Sequence, residues 1–253
     1  MNNLMALFSA FGAGMFLFIG YGIVSFIKNT DQFVEFSISM AFGVIVVLMG
    51  IEILPEGVSL AIEQFGTYGI FYFICTVFVG FFFLKGLDYF IPDHETGSKE
   101  ETQKQQTFYH IGFVSSIALI LHNLLEGMSI YTMALTKISM AISMMFGVGL
   151  HNIPLGIVIA STLRERKKGT FKTFFFLVFL SISTFLGGLL LFFNPTLMKD
   201  GVTAILLGIT LGMLFYIAFF ELLEEVLQSQ KKQNVVVGIS IGVVVFFVSL
   251  LFG

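Results

Sequence analysis

Eight apolar stretches, each about the length that crosses a lipid bilayer, follow one another along this chain of 253 residues. They cover residues 4–27, 33–60, 66–91, 108–135, 138–163, 171–193, 200–228 and 234–252. The first has no basic segment ahead of it and no short core ending in small residues, so it reads as a transmembrane helix and not as a signal peptide. The second stays apolar as far as Glu52-Ile53-Leu54-Pro55-Glu56-Gly57, where a proline and two acids interrupt it near one end. The longest polar stretch, residues 92–107, is rich in Glu, Lys, Gln and Thr and reads as a solvated loop, and Lys167–Lys172 as a basic linker. The pattern predicts an all-α membrane protein, a single polytopic domain over residues 1–253 with eight transmembrane helices.

Composition narrows this further. With 57% hydrophobic residues, 11% charged and a mean hydropathy of +0.95, the chain has too little polar surface to cover a soluble globule, so its solvent is the lipid bilayer. No basic patch points to nucleic acid, and Cys75, alone in an apolar run, is read as packing. Gly208 and Gly212, Gly238 and Gly242, and Ala10 and Gly14 each form a small-xxx-small face, which suits tight packing within the bundle or in a homodimer. None of these pairs is assigned to a dimer interface.

Orientation follows from the basic residues, because cytoplasmic loops retain Lys and Arg. Across eight spans, Lys28, Lys85, Lys99, Lys104, Arg164, Arg166, Lys167, Lys168, Lys172, Lys231 and Lys232 fall on one side, and only Lys137 and Lys199 on the other. The 11 to 2 asymmetry puts both termini on the extracytoplasmic side of a cell membrane and the 92–107 loop, with Asp93, His94 and Glu95, in the cytoplasm. In the absence of Trp, the interfacial belt falls to Tyr68, Tyr72, Tyr89, Tyr109 and Tyr131 near the span ends.

The chemistry is concentrated in spans four and five. One phrase occurs twice, His122-Asn123-Leu124-Leu125-Glu126-Gly127 and His151-Asn152-Ile153-Pro154-Leu155-Gly156, each deep in an apolar run. A charged side chain at mid-helix costs about 2.5 to 3.5 kcal/mol on insertion scales, so such residues face a cavity, a partner or an ion. On a helix His122 and Glu126 are four apart and Asn123 and Glu126 three apart, which sets all three on one face. If the next helix presents His151 and Asn152 opposite, five nitrogen and oxygen donors converge at mid-membrane, a set suited to a borderline divalent metal. A single buried histidine is as readily explained by an interhelical hydrogen bond, but two His-Asn phrases favour a metal. Asn123 and Asn152 have backbone hydrogen bonding as their alternative role.

A second echo links Glu52-Ile53-Leu54-Pro55-Glu56 in span two to Glu221-Leu222-Leu223-Glu224-Glu225 in span seven. With the orientation above, span two runs outward and span seven inward, so the two acidic segments lie toward opposite membrane faces. An inverted repeat of spans 1–3 and 6–8 around spans 4 and 5, an architecture of transporters, produces this arrangement. Glu52, Glu56 and Glu221 are then transport-pathway candidates, with solvated span-end acids as the plain alternative.

These residues resemble the ZIP (Zrt/Irt-like protein) family of divalent metal transporters, whose prokaryotic members carry His-Asn-x-Pro-Glu-Gly in both span four and span five. The resemblance extends over all eight spans and is specific in the two phrases. It implies a metal site midway across the bilayer held by His122, Asn123, Glu126, His151 and Asn152, and transport by rigid movement of one helix group against another. The chain departs from the pattern at Leu155, where the family has its span-five glutamate, at Leu125 in place of the span-four proline, and near Thr184, where span six of the family often carries a glutamate.

The expected function is movement of a divalent transition metal, Zn²⁺ first and Fe²⁺, Mn²⁺ or Co²⁺ as alternatives, toward the cytoplasm. An intramembrane zinc-dependent hydrolase is the alternative from another class, since an HxxxE pair with a further histidine can hold a catalytic zinc. No additional His or Asp near mid-span is available as its acid or base. A non-transporting metal-binding regulator is the third reading. With Glu126 as the only carboxylate in the centre, two dications would be poorly neutralised, so one bound ion per chain is predicted. Titration calorimetry should give a stoichiometry of one, and two ions located at spans four and five by anomalous scattering would refute it.

Overall fold

A computed structural model describes residues 2–26, 30–90, 117–132, 134–135, 138–164, 170–195 and 200–251, and among them every regular element is helical. In lipid no water is present to satisfy backbone N–H and C=O groups, so an apolar run must bond them within itself. The helices are α1 (Asn2–Met15), α2 (Leu17–Ser25), α3 (Thr30–Leu48), α4 (Leu54–Phe65), α5 (Gly69–Phe90), α6 (117–132), α7 (Ile138–Arg164), α8 (Thr170–Phe193), α9 (Asp200–Tyr216), α10 (Leu223–Gln228) and α11 (Lys232–Leu250). Among the described residues six stretches are long and apolar enough to cross a membrane. One of them, Gln32–Leu87, is 56 residues long, more than a single crossing needs. It turns at Gly66, whose φ of 58° suits only glycine, and α4 packs back on α5, so this stretch makes two passes. The 92–107 loop, Asp93, His94, Glu95 and Tyr109 lie outside the described residues.

Three helices are interrupted, each for a local reason. Between α1 and α2 the backbone tightens at Phe16, which bonds to the carbonyl of Ala13, while Ile19 bonds to that of Phe16. Between α3 and α4 the register widens into a π turn, Met49–Ile53, directly before Pro55, a residue that donates no backbone hydrogen bond. A second π turn, Ile217–Leu222, separates α9 from α10 without any proline. The two π turns contain Glu52 and Glu221, the acids that the sequence pairs as an echo. Pro154 stays inside α7, freeing the carbonyl of Leu150.

Glycines set how the helices pair. A side chain at Gly43 would strike the carbonyl of Ile239, one at Gly238 that of Phe36 and one at Gly242 that of Met40, so α3 and α11 touch backbone to backbone. Gly80 against Ile209, and Gly208 and Gly212 against Thr76 and Val77, do the same for α5 and α9. Gly14 meets Ser181, Gly20 meets Ile153, and Gly156 meets Leu17, which ties α1 to α8 and α2 to α7. Gly127 meets Thr184 and Gly187 meets Leu124, where α6 crosses α8. These approaches, together with the continuous rod that α3 and α4 form through Met49–Ile53, sort the helices into two sets. One set is α1, α2, α6, α7 and α8; the other is α3, α4, α5, α9 and α11. None of these glycine contacts joins one set to the other, although α7 also packs on α3 and α11.

Three readings from the sequence change here. The small-xxx-small faces are filled inside one chain, Ala10 included, which a side chain at Gly188 would meet, so they give no support to a homodimer. Cys75 is exposed on α5 and not packed, while Tyr131 is buried and so leaves the interfacial belt, which Tyr68, Tyr72 and Tyr89 still fit by their exposure. Large apolar residues such as Phe8, Phe71, Phe82 and Val244 are exposed on the outer faces of the helices, as expected where the solvent is lipid.

The glycine crossings give a direct test. Gly212→Val forces the α5–α9 backbones apart and should cost about 1 to 3 kcal/mol, seen as a lower thermal midpoint of the detergent-solubilised protein. Gly22→Val, at a position with nothing within 4 Å of the added carbon, should leave the midpoint unchanged.

Candidate metal centre

The two repeated phrases meet where α6 and α7 face each other. Glu126 on α6 places Oε1 2.9 Å from His122 Nε2, one helical turn away, and His151 Nε2 on α7 donates to the same oxygen at 2.6 Å. One donor atom from each of the three side chains lies within 4.8 Å of the others, and all three residues are buried. The imidazole rings are 6.2 Å apart and inclined at 35°. Two imidazoles and a carboxylate facing one point are a donor set for a borderline dication. His122 Nε2 and Glu126 Oε2 have no hydrogen-bond partner of their own, a costly condition for buried polar atoms unless something else satisfies them.

The two asparagines behave differently. Asn123 donates through Nδ2 to the carbonyl of Leu180 on α8 at 3.2 Å, which makes it a clamp between helices, and its Oδ1 has no hydrogen-bond partner. Asn152 is fully buried, and neither atom of its amide is hydrogen-bonded. Asn152 therefore retains its full capacity for a ligand, and Asn123 only its oxygen.

The glycines that end the two phrases are structural. Gly127 allows α8 to approach α6 at Thr184, and Gly156 allows α2 to approach α7 at Leu17, so each ligand-bearing segment is held against a neighbouring helix. Leu155, one turn after His151, is buried, so carbon occupies the position where a second carboxylate would project.

Around this core lie further acids on the two π turns and on α4. Glu52, half-buried on the first π turn, lies within electrostatic reach of His151, Glu126 and His122, and the exposed Glu56 lies within reach of Glu52. Glu221 is half-buried on the second π turn, which packs on α3.

Two further features emerge from the structure. Thr184 is fully buried with an unpartnered hydroxyl. Most intramembrane hydroxyls here bend back to a carbonyl one turn earlier, as Ser129 does to Leu125 and Thr132 to Met128. The carbonyl available to Thr184 in that way, Leu180, already accepts from Ser183 at 2.6 Å and from Asn123. Phe246 of α11, fully buried, lies against the His151 ring with centroids 6.3 Å apart. It is one of 33 phenylalanines, and nothing in its local sequence marks it.

A family model described as ZIP Zinc transporter matches residues 91–250. The chain is similar to the zinc transporter ZupT of Clostridium perfringens (strain 13 / Type A), 28% identical over 99% of this chain and 97% of that protein. It is also similar to the zinc transporters ZupT of Streptococcus mutans serotype c and Chlorobium luteolum, 26% and 27% identical, each over 94% of both chains.

Loss of the shared carboxylate should be the most damaging change at this centre. Residues that merely orient a metal ligand are worth about 10- to 100-fold in affinity, so Glu126→Gln should weaken Zn²⁺ binding by at least about tenfold in calorimetry. An unchanged affinity would remove Glu126 from the centre.

Proposed function

The chain belongs to the ZIP zinc transporter family, and from that membership we propose that it carries a divalent transition metal, zinc first, across the membrane through a site on α6 and α7. The observation that carries this reading is the convergence of His122, Glu126 and His151 within 4.8 Å in a buried position. Asn152, with its amide unpartnered, and Asn123 through Oδ1 add oxygen donors on the same segments. Membership in a transporter family sets aside the intramembrane hydrolase. Iron, manganese and cobalt remain alternatives as cargo because the donor set is borderline.

One ion is held at a time. Leu155 places carbon where a second carboxylate would stand, and Thr184 offers only a neutral hydroxyl, so Glu126 alone compensates the charge of a dication. The ion enters past Glu56 and Glu52, binds at the histidines and Glu126, and leaves past Glu221 into the cytoplasm.

The inverted repeat and the eight-span count give this route its two ends. The pairing of α3 with α11 is answered by that of α9 with α5, and both pairs meet through glycines. Each central helix of the two halves bears a π turn with an acid, Glu52 in one and Glu221 in the other. That correspondence favours spans 1–3 and 6–8 as related halves, with the acids near opposite faces. The excess of Lys and Arg on one set of loops favours extracytoplasmic termini.

Movement follows from the two glycine-joined sets of helices. Backbones in direct contact through glycine move together, whereas the set bearing the ligands, α1, α2, α6, α7 and α8, meets α3 and α11 through side chains and can slide or tilt against them. Carrying the site relative to Glu52 and Glu221 opens it toward one acid and then the other.

Zinc uptake into proteoliposomes should fall to background for both His122→Ala and Glu126→Ala, and transport insensitive to both substitutions would overturn the assignment. Metal binds neutral imidazole and ionised carboxylate, so acid competes with it. Uptake should decline as the pH on the entry side is lowered from about 7 to about 5.

A further inference from the structure

We propose that Thr210 is a cation ligand on the entry route: its hydroxyl, with the carboxylates of Glu52 and Glu56, forms an oxygen-only staging site for a divalent ion ahead of the histidines. The proposal rests on the transport reading above and adds to it a residue of α9 outside the ligand set.

The hydroxyl itself is the first observation. Thr210 has no exposed surface, and its Oγ1 has no hydrogen-bond partner among the described residues. Ser9, Ser37, Ser39, Ser129 and Thr132 each bond back to a carbonyl one turn earlier, the usual way a hydroxyl is satisfied in a helix without water. A buried hydroxyl left unpaired costs stability, so a valine of the same shape would serve packing better.

Its level along the membrane is set against the helix that carries the acids. α4 and α9 run antiparallel, with Gly201 against Gln64 and Phe65 and Gly57 against Leu207. Three residues beyond Leu207, Thr210 stands level with about residue 54, between Glu52 and Glu56. At that level α9 packs on the π turn that holds Glu52.

The side it points to follows from the handedness of the helices. α5 lies along one side of the α4–α9 pair, where Gly208 meets Thr76 and Phe73, Gly212 meets Val77, and Phe65 lies on Tyr72. Viewed along α4 from its start, each residue turns the side chain about 100° clockwise, and in the antiparallel α9 the turn is anticlockwise. With Leu207 directed at α4, Gly208 then points toward α5, as observed, and Thr210 away from it. With Gly57 directed at α9, Glu56 one step earlier and Glu52 about a turn before that also point away from α5. Glu52 lies within electrostatic reach of His151, Glu126 and His122, so this is the side of the metal centre. The threonine and both acids thus line one face at one level.

Two carboxylates balance the charge of a dication, and the hydroxyl adds a neutral oxygen. With no imidazole, the set is harder than the centre beyond it and leaves a borderline ion part of its water. Transfer to His151 and Glu126 then exchanges oxygen for nitrogen, which such an ion prefers.

The test separates the hydroxyl from packing and binding from transport. Thr210→Val should raise the thermal midpoint, because an unpaired buried hydroxyl is removed, yet raise KM for Zn²⁺ uptake by about threefold or more with kcat little changed. Thr210→Ser should keep KM near that of the parent protein. In a Cys75→Ser background, Thr210→Cys should react with a membrane-impermeant methanethiosulfonate from the Glu56 face. Cd²⁺ should slow that reaction, less so when Glu52→Gln is added and undiminished when His122→Ala is added. A valine variant with a raised midpoint and unchanged KM, a cysteine that the reagent does not reach from that face, or labelling indifferent to Cd²⁺ overturns the staging site. Protection by Cd²⁺ does not require transport, so Glu52-dependent protection in a chain that carries no zinc retains the site while the transport reading falls.

Discussion

One carboxylate oxygen sets the geometry of this protein's centre. Glu126 Oε1 stands 2.6 Å from His151 and 2.9 Å from His122, which brings two imidazoles from different helices to one buried point. An ionised group in such a place is tolerated only if it is paired, hydrogen-bonded or bound to a cation. The packing around it serves that requirement. Gly127 and Gly156 bring α8 and α2 into contact with the segments that bear the ligands, and Asn123 clamps α6 to α8 through Leu180. On the proposed reading, a bound metal ion would supply the positive charge that balances Glu126.

Much of this could be read from the sequence because lipid imposes strict rules. Runs of apolar residues had to be helices, and the spacing of His122 and Glu126 by four residues puts them on one face of such a helix. The facing of His151 toward that pair is a tertiary fact, made readable only by the repetition of the phrase. The Glu52 segment was visible through Pro55 and its echo around Glu221. Its π turn was not, since Ile217–Leu222 adopts the same turn with no proline to signal it.

What escaped the sequence are contacts made by ordinary residues. Phe246 resembles its 32 fellow phenylalanines until α11 is laid along α3 and its ring is found against His151. Thr184 is marked in the sequence as a departure from the family pattern, but its unpartnered hydroxyl shows only once Leu180 proves to be engaged by Ser183 and Asn123. The glycine faces were legible as packing surfaces, but which partner each one took, and hence that they lie within one chain, required the fold. Cys75 and Tyr131 exchanged their expected places for the same reason: hydropathy alone does not distinguish the lipid-facing side of a helix from the side that faces its neighbours.

The two π turns have a geometric consequence of their own. Each accommodates one more residue than an α-helical turn would hold, and a residue in an α-helix occupies about 100° of rotation and 1.5 Å of rise. If the surplus residue at Met49–Ile53 were passed along the rod, the side chains it crossed would swivel by about that angle. A carboxylate aimed at the histidines could thus be turned aside while the ends of the helix stay anchored. The same provision exists at Ile217–Leu222, so both acids sit on backbone that can act as a swivel.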